Sequence, residues 1–453
     1  MNPHIFREYD IRGIVERDLD PVTVRAVGAA FGTRTAEAGG RRIAVGRDVR
    51  ETSPAVADAL LEGLLSTGID VCDLGMVPTP VLYHAVHTLG VDGGIQITGS
   101  HNPPEYNGMK LMLGKETLHG DSLRDLGRLA GAGVFRSGRG RREEADPIPG
   151  YLEDLARHLF LPRPLRIVVD AGNGCASLTA PDLLRRLGAE VDPLFCEPDG
   201  RFPNHLPDPT LPGTLTDLRA RVLAGGFDFG LAFDGDADRL GALDDSGRIV
   251  WGDQLLALFA REILAATPGA SILFEVKCSQ ALIEDIEAHG GVPVMTRTGH
   301  SLIKARMREL GSPLAGEMSG HLFFAEWYGI DDALYAGGRL ARLVAESGRP
   351  LSAHVDTLPR FAASPEIRVG CPDERKFEVV EAIRARYRRS HPVVEVDGAR
   401  VTFRNGWGLV RASNTEPMLV LRAEGRTEGE RDGILEELRK ALEPLGVSWP
   451  SSP

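Results

Sequence analysis

The sequence is poor in the residue types that mark secreted, membrane-spanning or nucleic-acid-binding chains. Its 453 residues include only five cysteines: Cys72, Cys175, Cys196, Cys278 and Cys371. They are odd in number, widely spaced and without a CxxC pair. That argues against a disulfide framework or a structural zinc site and suits a reducing, cytoplasmic compartment. No stretch approaches the ~18 apolar residues of a membrane span, and the opening MNPHIFREYDIRG carries charge where a signal peptide needs an apolar run. Positive charge is also in deficit. The net charge is −12, from 52 basic and 64 acidic residues, which argues against a general nucleic-acid or membrane-surface partner. An anionic ligand would therefore need a local basic cluster. Lysine is the scarcest charged residue, with six of the 52 basic side chains: Lys110, Lys115, Lys277, Lys304, Lys376 and Lys440. A lysine kept inside a motif then reads as a need for a compact, titratable ammonium.

What is present is ordinary in bulk and patterned in detail. A hydrophobic content of 42% with 26% charged residues suits a soluble globular chain, and the length exceeds what one core serves, so several domains are expected. One pattern occurs three times: apolar strand, polar loop, amphipathic helix, glycine, apolar strand. The copies begin at RRIAVGRD, LRIVVDAGNG and SILFEVKCS. Their helices space leucine and isoleucine at three and four residues, so one face can pack on a sheet. The first helix is predicted to open with Ser53 as N-cap and Pro54 at the first helical position. Gly68, Gly188 and Gly290 fall where helix stops are expected. Strand–helix–strand order implies parallel pairs with right-handed crossovers. The loops GRD, DAGNG and KCS then lie at strand carboxyl ends, the edge where open α/β sheets bind ligands.

After about residue 360 the grammar changes to an α+β module: a helix, short strands with turns at Asp397-Gly398 and Asn405-Gly406, and a final helix. Residues 136–150 read as an aperiodic linker of mixed charge, glycine and proline. The predicted division is 1–148, 149–248, 249–360 and 361–453.

Four stretches could carry chemistry. In TGSHNPPEYNGMK, Ser100 follows an apolar strand, and Pro103 and Pro104 disfavour a helix after it. It is either a turn serine bonding its own backbone or a nucleophile outside the G-x-S-x-G elbow. In DFGLAFDGDADRLG, Asp234, Asp236 and Asp238 alternate, which puts them on one face of an extended backbone. Carboxylates ~4 Å apart repel by roughly 4 kcal/mol at an effective dielectric near 20, so the trio is either a solvated acidic turn or a site for a hard divalent cation, magnesium where phosphate completes the shell. An EF-hand is excluded by Arg239 at the sixth position and Asp245 at the twelfth. In GEMSGH, Glu317, Ser319 and His321 alternate among glycines, as a polar loop or a grip on sugar hydroxyls. In RASNTEP, Arg411, Ser413, Asn414 and Thr415 form either a capped turn or a phosphate clamp. Lys277, His300 and the REYDIRG segment are lesser candidates.

Taken together and in this order, these stretches resemble the α-D-phosphohexomutase family, in its phosphomannomutase/phosphoglucomutase branch; YDIRG, EVKCS and RTGHSLIK fit it too. The resemblance covers essentially the whole chain. It implies four domains around a central cleft, three related α/β units with mixed sheets and a last α+β unit. It further implies a phosphoserine at Ser100, Mg²⁺ held by Asp234, Asp236 and Asp238 with a phosphoserine oxygen, and a sugar held by Glu317 and Ser319. The non-reacting phosphate would be gripped by Arg411, Ser413, Asn414 and Thr415. Tyr9, Arg12, His101, Asn102, Lys110, Arg239, Lys277, His300 and His321 fall on family active-site positions, with Lys110 and His300 as candidates for proton transfer. The implied reaction interconverts hexose 1- and 6-phosphates of glucose or mannose through a hexose 1,6-bisphosphate, in a monomer or small homo-oligomer. The rivals are a phosphoglucosamine mutase and a metal-dependent serine phosphatase. Met318 leans away from the former, where glutamine is the more frequent residue. Met109 in place of phenylalanine and Glu416 in place of threonine are departures that remove no functional group.

Overall fold

The three repeats fold as parallel strand pairs. Arg42–Arg47 lies beside Asp70–Met76, Arg166–Asp170 beside Glu190–Leu194, and Ser271–Glu275 beside Val292–Thr296. The intervening helices are Ser53–Leu65, Ala180–Arg186 and Gln280–Ala288. Gly68, Gly188 and Gly290 take φ of 86°, 95° and 76° just beyond them, a left-handed conformation that glycine adopts without steric cost. The computed structural model describes residues 1–413, 417–447 and 449, and among these the strands form sheets of seven, five, four and six strands.

Each of the first three sheets is mixed for the same reason. A further strand parallel to the first pair is followed by a strand that doubles back antiparallel: Gly93–Ile97 by Tyr106–Leu113, Phe229–Phe233 by Leu240–Asp244, and Leu314–Gly316 by Leu322–Phe324. The fourth sheet is antiparallel throughout, with helices Asp373–Tyr387 and Glu428–Leu442 packed on it.

Two local expectations need correction. The first helix is capped at Thr52; Ser53 is already its first residue, and its hydroxyl donates to Asp48 Oδ1 at 2.5 Å instead. The stretch read as a linker contains an edge strand, Arg142–Glu144, parallel to Asp70–Met76, and then a helix, Ile148–His158. All three edge residues are exposed, so the strand rests on backbone pairing and leaves no alternation in the sequence to find.

One buried apolar cluster runs through the first three units, joining Leu82, Leu155, Leu231, Phe274 and Trp327. The fourth unit has its own core around Ile383, Leu421 and Leu438. It docks on the third through Trp407 and Leu409 against Val276. The Arg400 guanidinium stacks 3.7 Å from the Trp407 ring centroid and donates to the carbonyls of Val276 (2.6 Å) and Cys278 (2.7 Å). No described helix is long and apolar enough to cross a membrane.

Because Leu231 sits at 0% exposure in the shared cluster, Leu231→Ala is expected to cost about 2–5 kcal/mol. Hydrogen exchange should rise in all three of the first units together. A rise confined to the second sheet would contradict a common core.

Candidate active site

The chemistry-bearing stretches occupy the same place in successive units. Ser100 lies in the hairpin loop between Gly93–Ile97 and Tyr106–Leu113, the acidic trio between Phe229–Phe233 and Leu240–Asp244, and Glu317–His321 between Leu314–Gly316 and Leu322–Phe324. Arg411 is on Gly406–Ala412, just before that strand turns toward Met418–Gly425. These hairpins share the strand edge with the GRD, DAGNG and KCS loops, but it is the hairpins that carry the reactive groups.

The first two loops meet directly. Ser100 is buried at 2% exposure, and its φ of 49° is unusual for a residue with a side chain. Its hydroxyl donates to Asp234 Oδ2 at 2.7 Å and lies 3.2 Å from His101 Nδ1. Gly235 allows this approach, because a Cβ there would collide with the Ser100 carbonyl oxygen. On the other side of the trio, Lys110 Nζ donates to Asp236 Oδ2 at 2.6 Å and to Asp238 Oδ2, while Thr79 Oγ1 donates to Asp236 Oδ2 at 2.5 Å.

The trio converges by a different route from the one its alternation suggests. The loop is a turn with Ala237 at φ 63°, and the backbone N–H groups of Asp238 and Arg239 donate back to Asp234 Oδ1, each at 3.1 Å. All three carboxylates are fully buried, and one oxygen of each lies within 4.8 Å of the others. Burial, followed by the charges of Asp236 and Asp238, raises the Asp234 carboxyl well above its ordinary value. Burial also opposes the charge on Asp236, but Lys110 and hydrogen bonds hold that carboxyl low. Lys110 is driven upward by Asp236 and Asp238 against its own burial, so it stands as a fixed ammonium. Asp236 Oδ1 and Asp238 Oδ1 are buried without a hydrogen-bond partner among the described residues. Unpaired, hard carboxylate oxygens in such a cluster fit a divalent metal ion.

The remaining loops connect in series. Arg239 Nε donates to His321 Nε2 at 2.9 Å, and Leu240 N–H donates to the Gly320 carbonyl at 3.0 Å. Glu317 accepts from Gly299 N–H through Oε1 and from Ser319 Oγ through Oε2, both at 2.8 Å. Its carboxyl is held low by His321 and Lys277 against the effect of burial. Tyr9 packs edge-on to His300 at 5.5 Å between ring centroids, and its phenol is raised by burial and then by Asp10 and Glu317. Arg12 donates to the Gly99 carbonyl at 3.1 Å and to the Asn102 amide oxygen, and pairs with Asp10 at 2.5 Å. His101 is pushed well below the usual imidazole value by burial and by Arg239 and Arg12. Lys277 Nζ is 3.2 Å from Glu366 Oε2. Arg411 Nε donates to Asp397 Oδ2 at 3.1 Å, and the same oxygen accepts from Thr298 N–H at 3.0 Å. Ser413 is buried; its N–H donates to the Met418 carbonyl, and its carbonyl accepts from Lys376. Asn414 and Thr415 lie outside the described residues.

Residues absent from the sequence reading complete the scaffold. Arg50 is fully buried, and its guanidinium donates to the carbonyls of Ser100 (2.8 Å), Asn102 (2.5 Å), Pro103 (2.6 Å) and Tyr106 (3.0 Å) while pairing with Asp48. Its only signal was its place just after the GRD loop. Thr79 and Asp331 were likewise not separable from ordinary polar residues, while Asp397 was read only as a turn residue and Lys304 only as a lysine within RTGHSLIK.

Family models cover nearly the whole chain with the same division into four units. Residues 3–123, 149–247 and 251–361 match α/β/α domains I, II and III of phosphoglucomutase/phosphomannomutase, and residues 366–441 match its C-terminal domain. The chain belongs to the phosphoglucomutase/phosphomannomutase family. Among its relatives, a phosphomannomutase/phosphoglucomutase of Pseudomonas aeruginosa is 44% identical over 449 residues, covering 98% of this chain and 97% of that one. A phosphoglucomutase of Neisseria gonorrhoeae is 43% identical over 453 residues, with 98% of each chain covered. A crystal structure of a family protein from Burkholderia thailandensis superposes with a TM-score of 0.94 at 41% identity, covering 99% of this chain and all of that one. The family places its four domains in the order found here.

If the trio binds a divalent ion, Mg²⁺ at a hundredfold excess over its Kd should stabilise the protein by about 2.7 kcal/mol. Thermal unfolding with and without Mg²⁺ should show this rise in the native protein and lose it in Asp236→Asn. An equal rise in both would place the ion elsewhere.

Proposed function

We propose that this protein is a phosphohexomutase that interconverts the 1- and 6-phosphates of glucose and mannose through a phosphoserine at Ser100 and a hexose 1,6-bisphosphate. The observation that carries the reading is the Ser100 hydroxyl at 2.7 Å from a buried carboxylate of an acidic trio. On this reading residues 1–148 bear the phosphoryl carrier, 149–248 the acidic loop, 249–360 the sugar loop and 361–453 the phosphate clamp.

In the first half-reaction a sugar hydroxyl oxygen bonds to phosphorus as the bond from phosphorus to Ser100 Oγ breaks. The sugar hydroxyl proton passes to a base, and one proton is delivered to Ser100 Oγ, which ends as a hydroxyl. The bisphosphate turns end for end, and its other phosphate returns to Ser100 by the reverse step. Charge on the transferring group is the main demand. Arg12, Lys110 and Arg239 supply fixed positive charge toward it. Mg²⁺ on Asp234, Asp236 and Asp238, with a phosphoserine oxygen, would neutralise more of that charge. Of the two proton-transfer candidates His300 is favoured, because burial and Lys304 lower its imidazole below the usual value, whereas Lys110 is held charged between two carboxylates.

Glu317 and Ser319 suit sugar hydroxyls that glucose and mannose share. Arg411, Ser413, Asn414 and Thr415 suit whichever phosphate is not reacting. A clamp that reads phosphate and leaves C2 alone accepts both sugars.

Ser100→Ala is expected to lower turnover of glucose 1-phosphate at least tenfold and to leave no phosphoserine after incubation with glucose 1,6-bisphosphate. Native turnover in that variant would overturn the assignment. With the native protein, glucose and mannose 1-phosphates should be converted faster than glucosamine 1-phosphate and without release of inorganic phosphate; stoichiometric release would indicate a phosphatase. Arg411→Ala should raise KM more than tenfold with a smaller change in kcat, and an unchanged KM would count against the clamp.

A further inference from the structure

Behind the sugar loop lies a buried carboxylate that no motif marked. Asp331 has 0% exposure. It precedes Asp332, whose carboxylate caps the helix Ala333–Ser347 and also accepts from Tyr151 and Trp327. Its own backbone bridges to Phe323, so its position is fixed from both sides. Lys304 Nζ donates to Oδ1 at 2.8 Å and rests 4.2 Å above the Tyr83 ring. The other oxygen, Oδ2, lies 3.1 Å from His321 Nδ1 and 3.2 Å from His300 Nδ1. These approaches are close but not aligned as hydrogen bonds, and none of the three atoms has another partner among the described residues. The two imidazoles are stacked nearly parallel, 5.5 Å apart at 15°.

A carboxylate accepts hydrogen bonds and cannot donate them when ionised, so the ring nitrogens that face it are best satisfied as N–H. The other side of His321 agrees. Arg239 donates to its Nε2, which requires a lone pair there and leaves the proton on Nδ1. In His300, Nε2 has no partner among the described residues. Lys304, His300 and His321 hold the Asp331 carboxyl well below its usual value although burial opposes them.

We propose that Asp331, locked by Lys304, is the positioning residue that orients His300 and fixes its proton on Nδ1 and its lone pair on Nε2. That oxygen thereby prepares His300 to accept a proton through the nitrogen turned away from the carboxylate, whereas the Nε2 lone pair of His321 is already taken by Arg239. Asp331 touches neither substrate nor the transferring group; it acts only through the His300 ring. The inference rests on the mutase reading for its kinetic consequence and on geometry alone for the tautomers.

Asp331→Asn tests it in two ways. With Lys304 holding the amide oxygen, the amide NH₂ would face His300 Nδ1 and favour the opposite tautomer of that ring, the logic by which the equivalent change in a serine-protease triad reduces turnover. ¹⁵N spectra of histidine-labelled, Mg²⁺-loaded native protein, assigned with His300→Gln and His321→Gln, should show Nδ1–H and unprotonated Nε2 in both residues. The Asn variant should exchange the two in His300 and leave His321, held by Arg239, as it was. Its kcat for glucose 1-phosphate should fall at least tenfold, with KM changed less than threefold. A His300 Nε2–H tautomer in the native protein, or an Asn variant with native kcat, would overturn the proposal. If the Asn variant does not fold, the native spectrum still decides. The spectrum requires no turnover, so failure of the mutase reading would appear in the Ser100→Ala assay while leaving the tautomer result intact.

Discussion

Three carboxylates share the interior of one turn, and everything around them is arranged to make that tolerable. At ~4 Å and an effective dielectric near 20, each pair repels by roughly 4 kcal/mol. The protein answers with one lysine bonded to two of them, backbone N–H groups bonded to the third, and a serine hydroxyl pointed at the same carboxylate. The lysine and the serine belong to the first sheet and the aspartates to the second. Neutralising the trio is therefore also what joins the first two units at their reactive edges. A metal ion and a phosphorylated serine would meet the same electrostatic demand at the same place.

Joining continues around the ring of loops. Arg239 carries it from the acidic turn to His321, and Asp397 carries it from Thr298 in the third unit to Arg411 in the fourth. The first three units also share one apolar core, whereas the fourth has its own and docks through Trp407 and Arg400. A clamp that must accept two different phosphates in turn is thus placed on the unit with the most independent packing. Behind the nucleophile, Arg50 threads its guanidinium among four carbonyls of the Ser100 loop. A planar fork can satisfy that many acceptors in fixed directions; a single ammonium cannot.

The use of lysine follows the same logic. Four of the six lysines are buried: Lys110 against the acidic trio, Lys277 against Glu366, Lys304 against Asp331 and Lys376 beside the Ser413 carbonyl. In an arginine-rich chain the compact ammonium is concentrated at interior carboxylates and carbonyls, alongside buried arginines such as Arg50 and Arg400.

Much of this was legible before any coordinates. Strand–helix–strand periodicity determined three parallel pairs, glycine placed the helix stops, and the ordered motifs pointed to the family and to Ser100, the trio, Glu317 and Arg411, because such signals lie within a few consecutive residues. What tertiary structure decided are relations between distant residues. The trio converges through a left-handed turn at Ala237, where the alternation had suggested an extended strand. Arg142–Glu144 pairs as an edge although nothing in its composition distinguishes it from a linker. Arg50 and Asp331 look like any other charged residues in the sequence. Their importance arises from what burial leaves them to approach: carbonyls fifty or more positions away for the first, and for the second an imidazole at the start of one helix and another in a separate loop. Local propensity and side-chain chemistry are written residue by residue, but the matching of buried charge to its partner exists only once the chain has folded.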